Sequence, residues 1–285
     1  MTGFQKFIKY AAIAFAIYLS ITIVLLLLGI ANGLVKGSKQ SVTEIVKSID
    51  ETDLKDISQE FTDIANLEID LENIECIIKK GETFKIEGNN IPDKLEIKQE
   101  GNTLKINDDR VLSNFYTVNN ALTVYIPEEQ KLNNVDIEIN SVLVDIERLN
   151  ATNLKLETYN NYCKIDELFA DNLEINNEYG EIEVYKSEVK TLNLDSESGT
   201  EDIHIRIAER AEMDLEYSNT NLILTGTLEN YQINHKKLAG NTYVQGKEFL
   251  SSREPIGDGN VKINLETKYT EMYIDFEEVV NESYL

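Results

Sequence analysis

An all-β chain is predicted: a parallel β-solenoid with about 19 residues and two strands per coil, behind one N-terminal transmembrane helix. Three observations predict it. A pair of strands recurs at a fixed spacing. Every strand in the series alternates apolar and polar residues. One long uncharged segment stands alone at the N-terminus.

The first strands of the repeat begin at Val135, Leu154, Leu173, Leu192 and Met213, which lie 19, 19, 19 and 21 residues apart. The second strands begin at Val144, Cys163, Ile182, Ile203 and Leu222, spaced 19, 19, 21 and 19. Alternation over such runs is the period of a half-buried strand. A fixed period near twenty residues means stacked coils, none of which buries its apolar edge alone. The longer spacing implies a two-residue insertion in the Ser-Gly turn of residues 196–202. Asn134, Asn153 and Asn172 each precede a first strand. Stacked about 4.8 Å apart, they would form an amide ladder at a corner; the ordinary turn preference of asparagine explains them equally well.

The N-terminal elements follow in order. Residues 1–9 form a short tail with Lys6 and Lys9. Residues 10–35 carry no charge and are long enough to cross a bilayer, which takes about 20 residues. The uncharged stretch is also longer than the core of a cleaved signal peptide. Lysines flank it on both sides, so the positive-inside rule gives no vote on orientation. Charge does. Residues 1–40 hold four lysines and no acid, which leaves 23 basic and 51 acidic side chains in residues 41–285, a net charge of −28. Anionic inner-leaflet headgroups would repel that part. The tail is therefore expected in the cytoplasm and the rest outside, in a single-pass protein of the cell membrane. Nucleic acid would be repelled too, and its binding is excluded.

Residues 36–60 read as a linker, a stalk or a capping helix. Ser41 with Glu44 has the form of a capping box, and Val42, Ile45, Val46, Ile49 and Ile57 lie on a rough helical stripe. Residues 61–276 hold the strands. Leu67-Ile69-Leu71 and Ile74-Cys76-Ile78 are on opposite parity, with a turn at Asn73. Three further short strands lie between Gly/Asn/Asp turns, either as opening coils or as flanking antiparallel hairpins. After Leu224 the array loosens, and residues 261–276 form a final strand pair. Residues 277–285 are a frayed tail.

Chemistry is sparse. His204 and His235 are the two histidines, and neither has metal-ligand spacing. No phosphate loop, nucleophile elbow or cysteine cluster is present. No tryptophan offers a sugar platform. Cys76 and Cys163 fall on inward phases, where two small buried hydrophobes are expected, several turns apart. No enzyme, catalytic residue or cofactor is predicted. One stripe stands out. The outward place three after each leading residue holds Glu138, Glu157, Asn176, Asp195 and Glu216. Glu138, Glu157, Asp195 and Glu216 would form a carboxylate row, although like charges on neighbouring strands repel. Ca²⁺ or a basic partner would suit it; a solvated face of an acidic protein is the plainer reading. The Gly-rich repeats of calcium-binding β-rolls are missing, so no metal ligand is assigned.

The run LEIDLENIECIIKKGETFKIEG, the later KLEIKQEGNTLKI, the VYIPEE entry and the strand-turn-strand coils resemble the putative-adhesin family of membrane-anchored β-solenoid ectodomains from low-GC Gram-positive bacteria. The resemblance covers roughly residues 61–276. It implies a non-enzymatic envelope protein, adhering to or binding a protein or surface ligand. A second reading is an accessory component of envelope-stress signalling that works through membrane partners. Family members carry a Ser-Gly-Asp turn between the strands. Here Gly180 and Ser198-Gly199 keep part of it, and other coils depart from it.

Overall fold

Alternating Leu, Ile and Val on successive strands leave one edge of each coil apolar, and stacking the coils covers it. The computed structural model describes residues 54–108, 120–140, 143–249 and 254–278. Within them the chain is all-β: twenty strands join one mixed sheet, and the single 3-10 turn is Leu228–Asn230. The result is a solenoid-like stack.

Two ladders of parallel strands make the stack. The first runs through Asn66–Glu72, Leu132–Asn140, Leu149–Tyr159 and Leu168–Glu178. It continues through the second halves of Glu181–Glu197 and Thr200–Glu216 to Val261–Lys268 and Tyr231–Lys237. Its inward row reads Leu67, Val135, Leu154, Leu173, Leu192, Ala211, Ile263 and Ile233, each at most 2% exposed. The second ladder stacks Glu75–Gly81, Leu143–Ile146 and Tyr162–Ile165 on the first halves of the same two long strands. Asn219–Thr225, Thr270–Glu277 and Gly240–Val244 complete it. Each fully buried Leu, Ile or Val contributes on the order of 1.5–3 kcal/mol, so the rows dominate stability.

The period is 19 throughout the regular array. Leu192 pairs with Ala211 and Leu194 with Met213; Ile182 pairs with Glu201 and Val184 with Ile203. The expected two-residue insertion in residues 196–202 is absent. It arose from aligning Met213 and Ile203 one apolar place too late, because the true row members are a small Ala211 and a buried Glu201. A local register shift does occur, between Val184 and Ser187, and a second between Val189 and Thr191 restores the register. Lys186, at φ 47°, lies inside the first shift.

First strands also bend. In Leu149–Tyr159 the inward parity changes between Ala151 and Leu154. Ala151, Ala170 and Val189 thereby form a further short inward row beside Leu132. The bend is the corner at which the asparagines stand. Their ladder is complete: Asn134 donates to Asn66 at 2.9 Å, Asn153 to Asn134 at 2.9 Å and Asn172 to Asn153 at 2.7 Å. The Thr191 hydroxyl ends it on Asn172 at 2.7 Å.

Both ends are built out of chain order. Strand Thr103–Asn107 lies outside Asn66–Glu72, and Ala121–Pro127 lies outside Glu75–Gly81. At the other end, Val261–Lys268 and Thr270–Glu277 are inserted inside Tyr231–Lys237 and Gly240–Val244. Antiparallel strands then cover the edges: Phe84–Pro92 on Ala121–Pro127, Glu96–Glu100 on Thr103–Asn107 and Lys247–Glu248 on Gly240–Val244. An open edge would invite pairing with another chain.

Residues 54–60, expected in the linker or capping helix, belong to strand Leu54–Phe61, which pairs antiparallel with Phe84–Pro92. Ile57 is therefore on a strand. The tail, the span of residues 10–35, the remaining linker and residues 279–285 lie outside the described residues. No helix among the described residues is long and apolar enough to cross a membrane.

Candidate functional site

The outward face of the first ladder carries the acidic residues, because every second side chain of a strand points away from the core. Register places Asp70, Glu138, Glu157, Asn176, Asp195, Asp214 and Glu266 on one row. Glu138, Glu157 and Asp195 are thus brought together as expected. Glu216 is not among them: it pairs with Glu197 and Lys268 on the next outward row, which also holds Glu178. Asp214 takes the place expected for Glu216. The cause is the same two-place misalignment that hid Ala211.

Cations neutralise the face only in part. Lys155 pairs with Glu157, Lys268 with Glu216, and Lys236 with Glu266 at 2.5 Å. Among the described residues, Glu138, Glu178, Asp195, Glu197 and Asp214 have no ion-pair partner. Partial burial, with Asp70 and Glu157 nearby, pushes the Glu138 carboxyl above its ordinary range. Burial followed by Glu266, Asp195 and Glu216 does the same to Asp214. The Lys155 hydrogen bond holds Glu157 below it. The face is therefore short of positive charge at its middle and near one end.

A tyrosine column borders the acidic rows. The turn from first to second strand needs one residue in the left-handed region. Asn160, Tyr179, Ser198, Tyr217 and Tyr269 occupy it at φ 52°, 59°, 60°, 55° and 56°. Each of the first four donates its backbone N–H to the next coil, to Glu178, Glu197, Glu216 and Lys268 at 2.8–3.0 Å. Tyr159, Tyr179, Tyr217 and Tyr269 are 46%, 50%, 53% and 58% exposed. Tyr159 meets Tyr179 edge-on at 5.8 Å, and Tyr217 stacks on Tyr269 at 5.1 Å. Sequence reasoning missed this column. Its signal was the 38-residue step from Tyr179 to Tyr217, which is two periods. Between the column and the row, Glu138, Glu157, Glu178, Asp195, Glu197 and Tyr159 line an open groove of about 450 Å³.

Beneath the turn lies a buried polar knot, also missed. Glu201 is 1% exposed and sits on the inward row between Ile182 and Thr220. It accepts hydrogen bonds from Asn177 at 2.8 Å, from the Ser196 hydroxyl, and from the Thr220 hydroxyl at 2.7 Å. Thr158 joins through Asn177 at 3.0 Å. Gly199 fits only because it has no Cβ, which would press on Asn177, Glu201 and Ser196.

The remaining candidates are the two histidines and the two cysteines. His204 is outward, 3.2 Å from Asp202. His235 is on the inward row beside Leu265, hydrogen-bonded to Thr267 at 2.8 Å. Burial lowers its pKa to about 4. Cys76 and Cys163 are free and buried. They are closer than expected, flanking Val144 on one inward row of adjacent coils. No cluster of three or more metal-ligating side chains occurs among the described residues.

Solved structures similar to this chain include three bacterial proteins. A putative adhesin from Bacteroides fragilis NCTC 9343 is 12% identical, over 79% of this chain and 97% of that one, with a TM-score of 0.42. A putative lipid binding protein from Parabacteroides distasonis ATCC 8503 is 14% identical over 79% and 97%, with a TM-score of 0.43. A putative cell adhesion protein from Clostridium sporogenes ATCC 15579 is 11% identical over 79% and 100%, with a TM-score of 0.32. No curated protein matches the chain. The Toastrack DUF4097 family matches residues 64–277, which span nearly every described strand. The chain belongs to the Toastrack DUF4097 family.

Proposed function

We propose that this protein is a non-enzymatic, single-pass protein of the cell envelope, whose extracytoplasmic parallel β-solenoid adheres to or binds a protein or surface ligand. The observation that carries the reading is the continuous outward face of the first ladder. Acidic rows and an aromatic column run along stacked coils, and the grooves beside them are open. A surface built by repetition offers many equivalent contacts to an extended partner, and it leaves reacting groups in water. The uncharged segment of residues 10–35 supplies the anchor, and the net charge of −28 that follows residue 40 favours the outer side.

Protease added to intact, wall-stripped cells tests the topology. The reading requires cleavage of the solenoid with the N-terminal tail protected. An uncut solenoid in cells whose lysate is cut would reject the outer location. Crosslinking on whole cells then identifies the partner. Surface or matrix molecules fit adhesion, whereas membrane sensor proteins would favour an accessory role in envelope-stress signalling.

A further inference from the structure

One lysine of the chain already shows how the face takes a cation. Lys268 lies on the outer acidic row, pairs with Glu216 and stands 5.8 Å over the ring of Tyr217. The same elements recur two coils away. Tyr179 is exposed in the same left-handed turn position, with Glu178 and Glu197 on the same row, and among the described residues no lysine pairs with either carboxylate. Tyr159 extends the aromatic edge by a further coil.

The tyrosines are not there for the fold. Tyr179 stands in a left-handed turn position, which favours Gly or Asn and where a bulky side chain is uncommon; Tyr159 ends its strand just before Asn160, which holds that position in its coil. Ser198 fills that place in the middle coil. The rings of Tyr159 and Tyr179 meet each other and remain about half exposed, so they cover little of the core. A second copy of this chain is an unsuitable occupant, since its net charge of −24 would be repelled. The opposite charge, in an extended form able to follow several coils, fits.

We propose that Tyr159 and Tyr179, with Glu178 and Glu197, form a docking surface for a lysine-rich segment of another polypeptide, each lysine seated between a ring and a carboxylate as Lys268 is. The ring face attracts the ammonium, the carboxylates raise the encounter rate, and both effects weaken with salt. The inference rests on the partner-binding reading above and names its partner class.

The test uses the detergent-solubilised full chain and fluorescein-labelled dodecalysine, at about 0.15 M salt. Tyr159→Ser with Tyr179→Ser should weaken binding about fivefold or more, given the strength of two cation–π contacts. Serine is chosen for Tyr179 because Ser198 already occupies its turn column, and for Tyr159 as a short polar residue at the exposed end of strand Leu149–Tyr159. Glu178→Gln with Glu197→Gln should weaken binding at least as much. Asp145→Asn with Asp275→Asn removes the same charge from the second ladder and should stay within about twofold. Unchanged melting temperatures certify that each pair folds. Equal losses from the two carboxylate pairs would overturn the proposal, since binding would then follow net charge alone. So would full affinity in the tyrosine pair. Spermine competing as well per charge as dodecalysine would overturn the polypeptide occupant. Peptide binding as expected in a protein that surface protease cannot reach would sink the outer location and leave the docking surface standing. The reverse result would sink the docking surface alone.

Discussion

Removing Glu201 should damage the fold more than removing any exposed carboxylate. The side chain occupies an inward place between Ile182 and Thr220, at 1% exposure. Three donors point at it: one N–H of Asn177, and the hydroxyls of Ser196 and Thr220. The other Asn177 N–H already binds the Gly180 carbonyl at 3.1 Å, and Ser196 accepts from Ser218 at 3.1 Å. Glu201→Ala therefore strands three buried donors, each costing about 1–3 kcal/mol. Hydroxyls can turn toward other acceptors, so the expected loss is about 3–5 kcal/mol, a large part of a typical domain's stability. Glu201→Gln keeps the volume and one carbonyl acceptor, and its amide can donate to the Thr220 oxygen. Its cost should be about 1–2 kcal/mol. Gly199→Ala pushes a Cβ into the same three side chains, so it and Glu201→Ala should be strongly non-additive. The measurement is the urea midpoint followed by circular dichroism. The decisive variant is Glu201→Leu, which restores an apolar row but strands the donors. A midpoint above that of the wild type would refute the reasoning, because the carboxylate would then be tolerated rather than needed.

Other expectations follow from the same rows. His235 has a folded pKa lowered to about 4, first by burial and then by Lys237, against an ordinary 6.5. The neutral form is favoured in the fold, so its contribution is complete above pH 6.5 and is lost as pH falls toward 4. Discounted for partial solvent access, the loss is about 1–2 kcal/mol. His235→Leu, matching Leu265 on the row, should flatten that part of the stability profile relative to wild type; parallel profiles would contradict it. Cys76 is pushed up to about 12 by burial, and burial raises Cys163 as well. Both thiols should resist alkylation until urea unfolds the chain, and fast labelling of the native protein would disprove the inward assignment. Leu173→Lys places an ammonium on a row position 1% exposed. It should cost about 3–5 kcal/mol or prevent folding, and an unchanged melting temperature would refute the register.

How much of this was legible in the sequence depended on where a row kept its chemical character. Val135, Leu154, Leu173 and Leu192 are all large and apolar, so their spacing disclosed the period directly. Asn134, Asn153 and Asn172 disclosed the corner, and the hydrogen bonds between them confirm it. The reading slipped where Ala211 and Glu201 interrupt the rows. An apolar pattern slides past a small residue or a charge to the next Met or Ile, which is two places on and still inward. That slip kept every core residue on the correct face while putting Glu216 where Asp214 belongs. A period-two pattern resists errors of one residue, which would turn the core outward, but it is blind to errors of two. Polar residues at the turns held the missing information. Gly180 and Gly199 are 19 apart, as are Asn177 and Ser196, and Glu201 and Thr220.

The end coils were illegible for a different reason. Periodicity records which face a strand buries, and it does not record the order in which strands stack. Strand Asn66–Glu72 would suit either neighbour equally well, since Leu104 and Val135 present the same apolar row to Leu67. What decides the order is the need to finish the stack. The chain lays Phe84–Pro92 and Glu96–Glu100 antiparallel on the outermost parallel strands before it returns to Leu132–Asn140. The far end makes the mirror move, setting Tyr231–Lys237 and Gly240–Val244 outermost before Val261–Lys268 enters inside them. Both edges are thereby closed by local hairpins and bridges, and the repetitive middle is left with one exposed, strongly acidic ladder face. The same construction that protects the ends against pairing with another chain leaves the side of the stack open, where the tyrosine column and the carboxylate rows stand.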